Sequence, residues 1–203
     1  IDLSFQRSSF NGIIGQSGSG KSTLMNIMGT LDRPTTGTIT INGRRTDNMT
    51  SNQLADLRNE TIGFIFQFHY LLPEFTALEN VLMPHWIKYG SANREVKARA
   101  EELLDLVGLT KVKHNLATKM SGGQQQRTAI ARSLIMNPAI ILADEPTGNL
   151  DSDSTETVYQ IMREINERFK TTFIIITHDR HIAEKTDRII EIKDGRISLD
   201  LAR

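Results

Sequence analysis

The stretch Gly15-Gln16-Ser17-Gly18-Ser19-Gly20-Lys21-Ser22 satisfies the pattern G-x-x-x-x-G-K-[ST] in full. Residues 10–14 before it are a short apolar run of the kind that forms a buried strand, and residues 22–31 after it carry apolar side chains at helical spacing. Strand, glycine-rich loop and helix in that order are the setting in which the pattern binds phosphate. The glycines let the main chain wrap an anion, its N–H groups converge on phosphate oxygens, and a helix starting near Lys21 aims the positive end of its dipole at them. Lys21 is expected to reach the terminal phosphates of a nucleotide and Ser22 to offer its hydroxyl to magnesium, with Gln16, Ser17, Ser19 and Thr23 also counted in the nucleotide site. A Gly/Ser-rich linker would share the composition without the flanking strand and helix.

The 203 residues suffice for one large domain, or for a core carrying an inserted subdomain. Lys plus Arg and Asp plus Glu are 24 each, so the formal net charge is +0. A sequence-independent grip on nucleic acid shows as a basic excess, so no nucleic-acid partner is expected. The absence of cysteine excludes a disulfide framework and thiolate metal sites and fits a reducing compartment. No apolar run approaches the roughly 18 residues that would suggest a membrane span, and the opening residues do not read as a signal peptide. Work at a membrane is therefore expected to pass through a partner.

Residues 1–5 alternate apolar and polar and predict the end of a strand whose hairpin partner is missing, with the true N-terminus upstream. Asp32-Arg33-Pro34-Thr35-Thr36-Gly37 reads as a turn, and residues 38–42 as a strand ending at Gly43. Residues 51–60 predict a short helix capped by Ser51 or Asn52 and burying Leu54 and Leu57. Residues 62–66 are apolar, β-branched and aromatic and predict a core strand, with Gln67 at its end. Over residues 68–86, Pro73 and Pro84 are expected to break any long helix. Phe68, His69, Tyr70, Leu71 and Leu72 are consecutive and cannot all point inward, so some face a partner or a neighbouring subdomain.

In residues 93–107, Val96, Ala100, Leu103, Leu104 and Val107 recur at three- and four-residue steps ahead of Gly108, an amphipathic helix with its stop. Met120-Ser121-Gly122-Gly123-Gln124-Gln125-Gln126-Arg127 opens another helix, ended by Asn137-Pro138. Residues 139–143 are continuously apolar, a strand buried on both faces that leads into Asp144-Glu145-Pro146. Residues 153–169 predict a second amphipathic helix with Val158, Ile161, Met162, Ile165 and Phe169 on one face. Residues 172–176 are another buried strand, delivering Thr177-His178-Asp179, and residues 189–199 a final hairpin around Lys193-Asp194-Gly195. Strands alternating with helices imply an α/β fold with a mostly parallel sheet. Its ligands sit beyond the carboxyl ends of the strands, where Gly15, Asp144 and His178 all fall.

The phosphate loop, Gln67, Ser121-Gly122-Gly123-Gln124-Gln125, the apolar strand into Asp144-Glu145, Asn149-Leu150-Asp151 and His178 follow one another in the order and rough spacing of ATP-binding-cassette ATPases. Over essentially its whole length the chain resembles that family. The resemblance implies a P-loop NTPase fold of the RecA-like type, with an inserted α-helical subdomain and a partial antiparallel β subdomain. Residues 1–67 and 138–203 would form the nucleotide-binding core and residues 68–137 the helical insert. It further implies an enzyme that hydrolyses ATP with Mg2+. Asp144, together with Ser22 and Gln67, would serve the metal; Glu145 would be the general base that activates water for in-line attack on the γ-phosphate. Gln67 would also contact the attacking water, and His178 the γ-phosphate. An Asp closing a strand is ordinarily a cap and a lone His ordinarily a surface residue; their place in this series gives them these roles.

Ser121, Gly122, Gly123 and Gln124 would form a second helix N-terminus for anionic oxygen, equivalent to about half a positive charge. In the family this end comes from the other subunit, which implies a head-to-tail homodimer sandwiching two ATP molecules, with Asp151 across the interface. A capped helix start alone would account for Ser121 and not for two successive glycines. The sequence departs from the family pattern in lacking an aromatic residue well upstream of the phosphate loop to stack on adenine, since Phe5 and Phe10 read as core strand residues. The base is then held weakly, or the chain is a truncated form. Met120 stands where Leu is common, and Ser8-Ser9 where a Gly-Glu turn is usual.

Within the family, residues 62–81 and 143–151 resemble the corresponding runs of the lipoprotein-releasing ATPases, with altered versions in relatives that serve macrolide or peptide exporters and in cell-division ATPases. The region after Gln67 is where such ATPases receive a membrane partner. The resemblance thus implies an ATPase peripheral to the cytoplasmic face of the inner membrane that contacts integral membrane permease subunits and powers lipoprotein release. The alternatives are the ATPase of a macrolide or peptide exporter, or a regulatory ATPase of the cell-division type. Nucleic-acid repair ATPases usually carry a long coiled-coil or zinc insertion between the two motifs; the stretch between Ser22 and Ser121 has one clear long helix and no cysteine.

Overall fold

A computed structural model describes residues 1–203. The strands are β1 Phe10–Ile14, β2 Thr40–Ile41, β3 Arg44–Arg45, β4 Ile62–Phe66, β5 Ile140–Asp144, β6 Thr172–Ile176, β7 Arg188–Lys193 and β8 Arg196–Ala202. The helices are α1 Lys21–Met28, α2 Ser51–Thr61, α3 Ala77–Tyr89, α4 Arg94–Leu106, α5 Gly122–Leu134, α6 Ser152–Phe169 and α7 Arg180–Glu184. The main sheet has six strands in the order β4-β5-β6-β1-β7-β8, parallel throughout except for β8, which closes an antiparallel hairpin with β7. β2 and β3 make a separate two-stranded ribbon.

Alternate residues of the central strands feed two apolar layers, as a period of two requires. Phe10, Ile65, Ile141, Ala143, Phe173 and Ile175 pack with the buried faces of α3, α4, α5 and α6. Ile13, Leu142, Ile174, Ile176, Ile190 and Ile192 pack on the other side with Met25 and Leu57. No helix is long and apolar enough to cross a membrane.

The structure departs from the sequence expectations at several places. Residues 1–5 form no strand, because no ladder partner lies alongside them; Leu3 and Phe5 nonetheless turn inward against the second layer. Thr50, not Ser51 or Asn52, caps α2, since its hydroxyl accepts the Gln53 N–H while the Gln53 side chain returns the bond, a capping box. Pro84 sits inside α3 without ending it. A proline there costs about 3 kcal/mol; buried Ala77, Val81 and Leu82, a Thr76–Glu79 capping box and a left-handed Gly90 at the far end outweigh it. Phe169, the last residue of α6, is 37% exposed and stands outside the core. The strand read over residues 38–42 shrinks to β2, and α7 is a further helix that the sequence pattern does not announce.

Candidate functional site

Register sets the site. Phe66 pairs with Asp144, Asp144 with Ile176, and Ile176 with Ile13, so the residues that follow β4, β5, β6 and β1 emerge along one edge of the sheet. Gln67, Asp144-Glu145, Thr177-His178 and the phosphate loop are brought there together.

Within the loop, Lys21 is buried and its ammonium donates to the carbonyls of Gly15 and Gln16, both at 2.8 Å. A Cβ on Gly15 would lie 2.3 Å from the Ile192 carbonyl oxygen, so only glycine fits where β7 crosses the loop. Gly20 adopts φ 101, a left-handed turn that opens α1. The other six α-helices have a side chain at their N-cap that accepts a main-chain N–H, from Thr50, Thr76, Asn93, Ser121, Asp151 and Asp179; α1 has none. Its first N–H groups therefore keep their capacity for an anion. Ser19 Oγ is buried with no hydrogen-bond partner. An uncapped helix start beside a held ammonium and an unpaired hydroxyl fits a phosphate chain.

Asp144 is held above the ordinary carboxylate pKa first by burial and then by the adjacent Glu145; Lys21 and the Ser22 hydroxyl pull the other way. A half-buried carboxylate next to a hydroxyl suits a hard divalent cation that is otherwise held by phosphates and water. No group of three or more His, Cys, Asp or Glu side chains is placed to hold a metal ion by itself. Glu145 has φ 45, and its N–H donates to the Ile176 carbonyl at 2.9 Å, which turns its side chain toward the end of β6. There, Glu145 Oε1 accepts the His178 main-chain N–H at 2.9 Å and lies 2.8 Å from His178 Nδ1, while Oε2 accepts from Thr177 Oγ1 at 3.2 Å.

Gln67 is fastened to Asn149 twice: Gln67 Nε2 donates to Asn149 Oδ1 at 3.0 Å, and Asn149 Nδ2 to the Gln67 carbonyl at 3.2 Å. The signature residues fall in a second group. Ser121 Oγ accepts the Gln124 N–H at 3.3 Å, and Gln124 Oε1 accepts the Ser121 N–H at 3.0 Å. Asp151 caps α6, accepting from Ser154 N and Ser154 Oγ, both at 2.9 Å, and these bonds hold its carboxyl below the ordinary range. A Cβ on Gly123 would lie 3.0 Å from Ser154 Oγ, whereas one on Gly122 would meet nothing closer than Leu150 Cδ2 at 3.9 Å. Packing within the chain thus explains the second glycine and not the first. No hydrogen bond joins Ser121–Gln124 to the phosphate loop within the chain.

Three partners carried no assignment from sequence: Asn149 on Gln67, Thr177 on Glu145, and Gln126, which is fully buried between two loops. Asn149 and Thr177 stand beside motif residues, which was their only signal; burial of Gln126 has none in a glutamine run.

Comparison with known proteins matches residues 1–148 to the ABC transporter family model. The chain is 52% identical to the lipoprotein-releasing system ATP-binding protein LolD 1 of Rhodopseudomonas palustris, covering 98% of this chain and 88% of that protein. It is 50% identical to the LolD of Anaeromyxobacter dehalogenans, over 98% of this chain and 84% of that one. Among solved structures, the dimeric post-hydrolysis state of the ATP-binding cassette MJ0796 bound to ADP and Pi superposes with a TM-score of 0.89 at 42% identity, over 98% of this chain and 88% of that one. The protein cbiO1 of Clostridium perfringens, part of the ABC transporter complex cbiONQ, gives a TM-score of 0.89 at 28% identity, over 98% of this chain and 79% of that one.

Proposed function

The chain belongs to the ABC transporter family, an ATP-binding and hydrolysing subunit, and from that premise we propose that it powers lipoprotein release from the cytoplasmic membrane. The observation that carries the chemistry is the single sheet edge that gathers an uncapped α1, Lys21, Asp144, Glu145 and His178. Phosphates sit on the α1 N-terminus with Gly15, Gln16, Ser17, Gly18, Ser19, Gly20, Ser22 and Thr23 around them. Lys21 exchanges its two carbonyl partners for phosphate oxygens. Ser22, Asp144 and Gln67 would hold Mg2+, which would supply neutralisation of charge on the phosphates. Glu145 takes a proton from water as the water oxygen attacks the γ-phosphorus, and the bond from that phosphorus to the β-phosphate oxygen breaks. His178, already anchored to Glu145, contacts the γ-phosphate from the exposed side.

The second half of each site, Ser121 to Gln124 and Asp151, comes from a second copy placed head to tail. Supporting this are the absence of any hydrogen bond between the two groups within one chain and a Gly122 that the chain's own packing does not require. The MJ0796 relative is itself dimeric in its post-hydrolysis state. Residues 68–137 form the insert that meets the permease, at the face where Phe68 is 66% and Tyr70 63% exposed. The protein then sits peripherally on the cytoplasmic side of the membrane. Purification of the Glu145→Gln protein with ATP from detergent-solubilised membranes tests the reading. Recovery of a membrane subunit carrying acylated lipoprotein is the expected result; a division-type partner, or no membrane protein, overturns the lipoprotein assignment.

A further inference from the structure

The segment after Gln67 is knotted to the catalytic loop at a second, buried place. His69 and Tyr70 are consecutive residues in the left-handed region, at φ 60 and φ 48, a costly arrangement for residues with side chains. It puts His69 inward, 9% exposed, while Phe68 and Tyr70 on either side point out. The α5 helix holds this conformation. Arg132 donates from its two terminal nitrogens to the His69 and Tyr70 carbonyls, both at 2.6 Å, and burial pushes its pKa down to about 10.

Nearer the start of α5, Gln126 lies between His69 and Pro146. Its Nε2 is 2.5 Å from the Pro146 carbonyl and its Oε1 2.5 Å from His69 Nδ1. The polarity of this chain of bonds is fixed by chemistry. A proline carbonyl only accepts, so the amide NH2 must face it, the amide oxygen must face His69, and Nδ1 must carry the proton. Burial lowers the His69 pKa, in keeping with a neutral ring that donates at one nitrogen. Pro146 follows Glu145 directly.

We propose that Gln126 is a positioning residue for hydrolysis: through the bonds His69 Nδ1–H to Gln126 and Gln126 to the Pro146 carbonyl, it locks the exposed Phe68/Tyr70 turn to the loop that aims Glu145. The relay runs beside the Gln67–Asn149 bond and is carried by the same helix that begins at Ser121. It rests on Glu145 being the general base.

The test is steady-state ATP hydrolysis by the full chain, with melting temperature measured alongside. His69→Leu removes the donor; Gln126→Glu keeps an acceptor for His69 and loses the donor to Pro146; His69→Asn keeps a donor near the Nδ1 position. We expect His69→Leu and Gln126→Glu each to lower kcat about tenfold with KM for ATP within about twofold, because a small misplacement of a reacting group acts on the chemical step. His69→Asn should retain wild-type kcat. The double variant His69→Leu/Gln126→Glu should be no slower than either single one, since both break one relay, whereas independent effects would multiply to about a hundredfold. Multiplying effects, wild-type kcat in either single variant, or failure of His69→Asn to restore kcat overturns the relay. Should Gln126→Glu not fold, the contrast between His69→Leu and His69→Asn decides the same point. Glu145→Gln is the reference: unchanged turnover there removes the general-base reading itself, while slow turnover there with wild-type His69→Leu removes only the relay.

Discussion

Glu145 and His178 are joined twice through one oxygen: Glu145 Oε1 accepts the His178 main-chain N–H at 2.9 Å and stands 2.8 Å from its Nδ1. The main-chain bond places a carboxylate that side-chain contacts alone would leave free to swing. The ring contact leaves most of the imidazole, 73% exposed, turned outward. Removing the imidazole therefore takes one of the two bonds and leaves the anchor.

From this follows an asymmetry between two variants. Glu145→Gln should slow hydrolysis by about 10²- to 10⁴-fold, the usual contribution of a positioned base, with ATP binding retained. His178→Ala should slow it less, because Glu145 keeps the His178 N–H. Single-turnover hydrolysis alongside equilibrium ATP binding measures both; equal loss in the two variants contradicts the main-chain anchor.

Lys21 holds the phosphate loop through two carbonyls, so Lys21→Ala removes both a phosphate ligand and an internal tie. ATP affinity should fall roughly tenfold or more, given about 1.5–3 kcal/mol for a hydrogen bond to a charged group. Calorimetric titration with ATP is the measurement.

The Asp144 carboxyl binds its proton more tightly in the fold than the ordinary pKa of 3.8 implies, so between that pH and the raised value the folded chain carries more protons than the unfolded one. Stability consequently declines as pH rises from 3.8 through the raised value, and the cost is complete at neutral pH. Asp144→Asn should raise the melting temperature of the nucleotide-free protein at pH 7, by a margin that shrinks on acidification toward 3.8, while abolishing Mg2+-dependent hydrolysis. A pH series of melts with both proteins checks the sign.

A Cβ on Gly122 would meet only Leu150 Cδ2, at the ordinary contact distance of 3.9 Å, so Gly122→Val should leave the melting temperature near wild type. If a second copy packs there, the same change blocks ATP-dependent dimerisation in the Glu145→Gln background. Light scattering with and without ATP reads the mass, and an ATP-induced dimer of the valine variant refutes the head-to-tail arrangement.

Core strands and site motifs were legible because each depends on local chemistry. β6 stands at residues 172–176 as its apolar run predicts, and the glycine loop carries its own geometry. What failed depended on distant neighbours. Pro84 stays helical because tertiary packing on buried Val81 and Leu82 exceeds a local penalty. Residues 1–5 have a strand-like pattern and no ladder to join. Gln126 could not be found because nothing in Gln124-Gln125-Gln126 says which glutamine turns inward, and the answer lies with His69 and Pro146.

β1 lies between β6 and β7, and Asn11 Nδ2 bonds the Phe173 carbonyl across 162 residues of chain. At translation rates of about 5–20 residues per second, the strand that ends in the phosphate loop leaves the ribosome roughly 10–30 s before its neighbours exist. During that interval the motif is complete and has no sheet to hold it, and Gly15 has no Ile192 to close against. A polypeptide interrupted before Ile192 carries the phosphate-loop sequence without the strand that closes against Gly15.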